Sequence, residues 1–289
     1  MNRIIPLVLA IALFMEQMDS TVISTSLPAL ALDYQYDEHN QFYYSISSNI
    51  RIPAAAALYS VVERSQKPET TINQELGWRY KNAGLSSSVA LFNADFKNRQ
   101  VSYLTPENIT AYYNAGKVKT QGVEFALNGL LPRDFNYSLS YAYVLAEQQE
   151  NFDVEELNGF SSLPTKGKQL FNTPKHLASV GFGYDDGNLY GDIRALYKSS
   201  IYGDLTNKES IAGVTTVNLA LGYRLHELGN FAKEATLSLN VNNLFNKEYL
   251  QGVSAGQFSS DRADGRLAGT PTYVVAEPRT LIASLQLEF

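Results

Sequence analysis

The side chains best suited to acid–base or metal chemistry are scarce: His39, His176 and His226 are the only histidines, and there is no cysteine in 289 residues. The histidine spacing forms no metal-ligand pair, and without thiolates a zinc or iron–sulfur site lacks its soft ligands. Asp185-Asp186 and Glu155-Glu156 are acidic pairs in turn-like or loop-like segments, where solvation accounts for them. Gly181-Phe182-Gly183-Tyr184 has the look of strand glycine rather than a phosphate cradle. No nucleophile elbow, P-loop or dinucleotide fingerprint occurs, and no Ser/His or Asp/His constellation can be assembled. The sequence therefore predicts no enzyme, no cofactor and no metal. A net charge of −6, scattered along the chain, argues against nucleic acid as a partner.

With catalysis set aside, the elements that position side chains become the question. Beyond the first thirty residues the hydrophobic period is two, which is the strand signal. Tyr137, Leu139, Tyr141 and Tyr143 share one face, with Ser138, Ser140 and Ala142 on the other. Ala235, Leu237, Leu239 and Val241 alternate with Thr236, Ser238, Asn240 and Asn242. Leu189, Ile193, Ala195 and Tyr197 alternate with Asp192, Arg194 and Lys198. The spacing predicts strands near 32–37, 41–52, 70–81, 85–99, 112–131, 134–148, 173–184, 187–200, 212–226, 234–248 and 279–289. Most approach the 9–11 residues that a tilted strand needs to cross a bilayer, longer than soluble strands usually run. One face is apolar; the other carries Asp, Arg, Lys, Glu and Asn, as a water-filled lumen allows. Joints after 37, 81, 131, 184 and 226 are short and those after 52, 99, 148, 200 and 248 mostly longer, the asymmetry of short periplasmic turns and long external loops. The abundance of tyrosine, 19 residues, suits membrane–water interfaces. The expected fold is all-β, a transmembrane antiparallel β-barrel segment of about eleven strands over residues 32–289. A short apolar N-terminal helix or leader over 1–31 precedes it.

Four motifs carry a resemblance. Lys67-Pro68-Glu69-Thr70-Thr71 precedes Glu75-Leu76-Gly77; Asn114-Ala115-Gly116 precedes Gly122-Val123-Glu124; Asn242-Asn243-Leu244-Phe245-Asn246-Lys247-Glu248-Tyr249 follows; and Pro278-Arg279-Thr280 opens the last strand, ending in Phe289. In this order they resemble the C-terminal barrel of TonB-dependent outer-membrane receptors. Each also has a plain constructional reading, since proline belongs where a strand begins and glycine where a wall is crowded. Residues 4–31 separately resemble the first transmembrane helix of major-facilitator drug exporters. As a signal peptide the same stretch would end at Ala29-Leu30-Ala31; as a spanning helix it is short and interrupted by Glu16 and Asp19.

The receptor resemblance implies location in the outer membrane of a Gram-negative bacterium and uptake of a bulky scarce solute: an iron–siderophore, cobalamin or a glycan. It implies contact with outer-membrane lipid, recognition of Phe289 by the outer-membrane assembly machinery, and coupling to TonB if a plug is supplied elsewhere. The family's plug and the first half of its barrel have no counterpart here, so a truncated receptor is expected. The alternative is a small self-closing barrel acting as a passive channel or adhesin. Substrate contact would fall on the long joints 53–69, 149–172 and 249–278. The candidate binding residues in the last are Tyr249, Gln251, Arg262, Arg266 and Tyr273.

Overall fold

Alternating faces can be buried consistently only if neighbouring strands pair in register, because a slip of one residue turns every side chain over. The computed structural model describes residues 25–26, 30–53, 67–104, 110–156, 159–226, 233–254 and 271–288. The chain begins with β1 (Thr25–Ser26), β2 (Leu30–Gln35), β3 (Asn40–Arg51), β4 (Glu69–Lys81) and β5 (Leu85–Lys97). A hairpin of β6 (Gln100–Leu104) and β7 (Thr110–Asn114) leads to β8 (Val118–Leu130) and β9 (Phe135–Gln148). A second hairpin, β10 (Phe152–Glu156) and β11 (Gly159–Leu163), precedes β12 (His176–Asp185) and β13 (Leu189–Lys198). The third, β14 (Ile201–Tyr202) and β15 (Ser210–Ile211), precedes β16 (Val214–His226) and β17 (Glu234–Asn242). The fourth, β18 (Leu250–Ser254) and β19 (Thr272–Val275), precedes β20 (Thr280–Glu288).

The long strands form one antiparallel sheet in the order β2, β3, β4, β5, β8, β9, β12, β13, β16, β17, β20, with β1 extending the β2 edge along β3. The eleven expected strands are all present. Most bounds agree to within three residues, and two differ in kind. The stretch expected as one strand over 112–131 is interrupted at Ala115-Gly116-Lys117, where Gly116 takes φ 84°. The strand expected to reach 248 stops at Asn242, because Asn243 and Asn246 adopt left-handed φ values of 53° and 50° and turn the chain. Of the expected leader, residues 1–24 and 27–29 lie outside the described residues; Thr25–Ser26, Leu30 and Ala31 are strand and belong to the wall.

Strand direction alternates at every step from β2 to β20, so an eleven-strand path brings its two edges out running the same way. Among the described residues these edges are not paired with each other. Joining these two edges would make a parallel ladder, whereas bacterial single-chain outer-membrane barrels are antiparallel with an even number of strands.

Register sorts the faces. Leu76, Leu91, Val123 and Tyr143 stand opposite one another across four strands, and Leu221, Leu239 and Ala283 across three. On this face Leu76, Leu91, Val180, Leu237 and Leu285 are each more than half exposed. A continuous apolar surface of that kind is a liability in water and the expected state in lipid. Aromatic side chains mark its two margins. Phe42, Trp78 and Tyr80 lie toward the short turns; Tyr141, Tyr143 and Tyr197 lie toward the long loops. The Trp78 indole donates to Asn40 Oδ1 at 2.9 Å, keeping its polar edge satisfied.

The opposite face is polar and twice repeats one construction. Tyr43 lies over Gly77 of the paired strand, and Arg79 lies over the Tyr43 ring at 4.0 Å. Tyr190 likewise lies over Gly222, with Arg224 at 4.2 Å from its centroid. The missing Cβ leaves room for the ring, and the ring offers the guanidinium its electron-rich face. Arg224 is further held by Asp185 at 2.8 Å.

The turn after β12 is built by carboxylates. Asp186 accepts from the backbone N–H of Leu189 at 2.7 Å and of Asn188 at 2.9 Å, and from Tyr184 Oη. Those hydrogen bonds, the Leu189 amide first, hold the Asp186 carboxyl below its ordinary range. A depressed folded pKa means that the stabilisation is present above the unfolded value and disappears as pH falls through the folded one. The Asn188 and Leu189 amides are therefore expected to stay protected from hydrogen exchange at neutral pH and to lose protection only below the usual carboxylate range. Asp186→Ala should remove that protection at every pH, and an unchanged exchange profile in the variant would contradict the assigned turn.

Candidate functional site: a collar of hairpins at the long-loop end

Buried apolar side chains are sparse in the wall and gather at the end that carries the long connections. Phe152, Leu163, Ile201, Leu205, Ile211 and Val253 are each 4% exposed or less. The hairpins thus have a small core of their own, and polar joints tie it to the strand ends.

The first joint unites two sequence motifs that lie more than forty residues apart. Asn114 Nδ2 donates to the Lys67 carbonyl at 3.1 Å and to the Asn98 carbonyl at 2.9 Å, while the Lys67 N–H donates to Asn114 Oδ1 at 2.8 Å. Glu69, 3% exposed, accepts from Arg99 Nη1 at 2.7 Å and from the Gln100 N–H at 2.8 Å. Glu150 packs against Gly116, where a side chain would collide with it, and accepts from the Lys117 N–H at 2.9 Å. The Lys-Pro-Glu and Asn-Ala-Gly segments are two halves of one clasp, which holds the base of the β6–β7 hairpin.

The second joint unites the other two motifs. Asn243, 6% exposed, takes the Lys247 N–H on Oδ1 and donates through Nδ2 to the Lys247 carbonyl, both at 2.9 Å. Asn246 Oδ1 accepts from the Arg279 N–H at 2.8 Å. The Asn-Leu-Phe-Asn-Lys turn is therefore the bracket against which the start of β20 is set.

The third joint was not visible in the sequence. Ile201 and Ile211 of one hairpin pack on Val253 and Leu250 of the next. Lys198 Nζ donates to the Gln251 carbonyl at 3.0 Å, and Tyr273 Oη donates to Glu209 Oε1 at 2.7 Å. That bond to a carboxylate raises the Tyr273 phenol above its ordinary pKa. Asp204, fully buried, organises the intervening loop through Thr206 Oγ1, the Lys208 N–H at 2.9 Å and the Glu209 N–H at 3.1 Å. Gln148 Nε2 reaches the Leu205 carbonyl at 2.8 Å, and Asn207 brackets Gln169 through both its amide atoms at 2.7 and 2.8 Å.

Of the five candidate binding residues, the structure brings Tyr249, Gln251 and Tyr273 together at one hairpin; Arg262 and Arg266 lie outside the described residues, as does Phe289. Tyr249 is half-buried beside the hairpin base, where its carbonyl accepts from Ala276 at 3.1 Å; Gln251 and Tyr273 are exposed. Lys198, Glu209 and Asp204 were missed, because each acts on a partner in another strand or in an irregular loop, without a local sequence pattern. The three histidines are dispersed: His39 contacts the Lys81 carbonyl, His176 contacts Tyr141 Oη, and His226 contacts Glu234. Among the described residues no three His, Asp or Glu side chains converge as a metal would require. The collar offers phenols, amides, carboxylates and cations at fixed positions, which is chemistry for binding.

Comparison with known proteins agrees with this architecture. Residues 17–244 match the family model described as TonB dependent receptor-like, beta-barrel. The chain is 28% identical over 205 residues to the probable TonB-dependent siderophore receptor PiuA of Acinetobacter baumannii, covering 70% of this chain and 26% of that protein. It is 26% identical over 261 residues to an uncharacterized TonB-dependent receptor of Haemophilus influenzae, covering 83% and 72% respectively. It is 28% identical over 211 residues to the metal-pseudopaline receptor CntO of Pseudomonas aeruginosa, covering 71% and 25%. The crystal structure of PiuA superposes with a TM-score of 0.67 at 21% identity, over 89% of this chain and 35% of that one. The unliganded ferric citrate transporter FecA superposes with a TM-score of 0.66 at 24% identity, over 91% and 38%. The chain thus spans about a quarter of the length of PiuA and CntO.

Proposed function

Because this chain belongs to the TonB-dependent receptor β-barrel family and resides in the outer membrane, we propose that it provides wall and collar for the uptake of a bulky metal chelate. The observation that carries the reading is the collar itself: neighbouring long hairpins share a core and hydrogen bonds at one end of a lipid-facing wall. Preorganised loops lower the entropy lost when a ligand is gripped. The names of the relatives, a siderophore receptor and a metal-pseudopaline receptor, favour an iron–siderophore or similar chelate over cobalamin or a glycan. In this reading residues 32–289 are the C-terminal part of the barrel. Tyr249, Gln251 and Tyr273, with Arg262 and Arg266, touch the chelate. Energy comes through TonB, and Phe289 is read by the assembly machinery.

The test compares cells with and without the chain for retention of radioiron presented as hydroxamate, catecholate or carboxylate chelates. Cells carrying it should retain one class, and a protonophore should stop accumulation while sparing surface binding. Tyr249→Ala, Gln251→Ala and Tyr273→Ala combined should weaken that retention by about tenfold, the loss of one or two good hydrogen bonds. Equal retention with and without the chain for every chelate would overturn the uptake reading. A triple variant that binds normally would move the contacts to other loops.

A further inference from the structure

Leu250 and Val253 lie three residues apart in β18, and strict alternation would send their side chains to opposite faces of the hairpin. Both nevertheless enter one apolar cluster with Ile201 and Ile211 of the preceding hairpin. The ladder between β18 and β19 shows how. Val253 stands opposite Tyr273 and Gly252 opposite Val274, but Leu250 stands opposite Val275, so Gln251 is an extra residue with no counterpart on β19. A β-bulge of this kind bends its strand, leaves one residue outside the ladder and re-aims that residue's side chain.

A residue outside the ladder has main-chain groups that need another partner. Here Lys198 supplies one, its Nζ donating to the Gln251 carbonyl at 3.0 Å. Lys198 ends β13 on the polar face that also carries Asp192 and Arg194, in register with Leu177 and Val214. It is half-buried, and among the described residues no carboxylate pairs with it. The cation is thus committed to a neutral carbonyl in a different loop.

The remainder of the hairpin is seated by other means. Val253 packs against Gly203, where a Cβ would come within 2.8 and 2.9 Å of the two valine methyls. Tyr273 Oη donates to Glu209 Oε1 at 2.7 Å, and the Ala276 N–H donates to the Tyr249 carbonyl at 3.1 Å. These contacts hold the residues that flank the bulge, and Lys198 holds the bulge itself. The Gln251 side chain is exposed, and its amide can both donate and accept.

We propose that Lys198 is a positioning residue for ligand binding: by anchoring the Gln251 bulge to the end of β13, it sets the direction in which the Gln251 amide meets the oxygen donors of a bulky chelate. The inference rests on the uptake reading. Methionine at position 198 would occupy similar space and leave the bulge carbonyl without its donor.

The test uses cells carrying the full chain and the radioiron chelate class that they retain. Lys198→Met should raise the chelate concentration for half-maximal retention by about tenfold, the loss of one hydrogen bond from a charged donor. The maximal amount retained and the quantity of chain in the outer membrane should not change. Lys198→Arg, which keeps a charged donor, should restore most of the affinity. Gln251→Ala removes the side chain and keeps the carbonyl, so Lys198→Met should add no further loss in that background. Parent affinity in Lys198→Met overturns the proposal. Additive losses in the double variant also overturn it, because they would place Lys198 itself on the chelate. A ligand-free measurement separates the anchor from the uptake reading: hydrogen exchange of residues 250–254 in detergent should quicken in Lys198→Met and keep the parent's rate in Gln251→Ala. If the parent retains no chelate and exchange quickens, the uptake reading and the ligand role fall while the anchored bulge stands. Unchanged exchange in Lys198→Met sinks the anchor itself.

Discussion

Gly122→Val is expected to prevent this chain from assembling its wall. Gly122 stands opposite Phe92 on β5 and opposite Val144 on β9, so it is enclosed from both sides. A Cβ at this position would collide with the Tyr143 carbonyl oxygen and with the Phe92 ring. The ring can rotate aside; the carbonyl is part of the β8–β9 ladder and cannot move without breaking it. Valine adds two further methyl groups to that collision. Overpacking commonly costs about 1–3 kcal/mol, and a backbone neighbour places this case at or beyond the upper end. The readout is the folded fraction in phospholipid vesicles across a urea titration. Gly84→Ala is the matched control, because a Cβ there meets nothing within 4 Å. A valine variant that folds like the control would show that β8 is not seated between β5 and β9 in this register.

Glu69→Ala should release the first clasp. The carboxylate side chain is 4% exposed and its Arg99 partner 17% exposed, with 2.7 Å between them. Deleting one member of so enclosed a pair leaves the other charge without compensation, a loss of about 3 kcal/mol or more. It also strands the Gln100 N–H, which donates to the same carboxylate at 2.8 Å. Hydrogen exchange across residues 98–117 should rise in Glu69→Ala and in Arg99→Ala. The double variant should be less damaging than the sum of the two, since no orphaned charge remains. Strictly additive effects would mean that the two side chains act independently and that the clasp is held by Asn114 alone. Either single change should leave the β16–β17–β20 part of the wall unaffected, because it shares no residue with this joint.

The motifs illustrate how sequence and structure divide the information. Lys67-Pro68-Glu69 and Asn114-Ala115-Gly116 were legible as separate constructional signals, and proline and glycine do sit where a strand starts and where φ turns positive. That they are one object was not legible, because their contact depends on β4, β5 and β8 first aligning. The same holds for Asn246 and Arg279, thirty-three residues apart and joined only once β17 and β20 are neighbours. Tyr249, Gln251 and Tyr273 came from the composition of a long loop. Their convergence on one hairpin came from the pairing of β18 with β19, which no periodicity in that loop announces.

What the sequence by itself determined is the character of the wall: eleven strands, which face meets lipid, and which end carries the long connections. These follow from a period of two and from turn chemistry, both encoded within a dozen residues and independent of distant partners. Tertiary structure alone decided which side chains meet. Whether Tyr190 finds Gly222, Glu69 finds Arg99 or Lys198 finds Gln251 is set by register between segments 30 to 53 residues apart. Alternation specifies the face a residue points to and leaves its opposite number open; the number is chosen when whole strands pair and the ladder admits a single alignment.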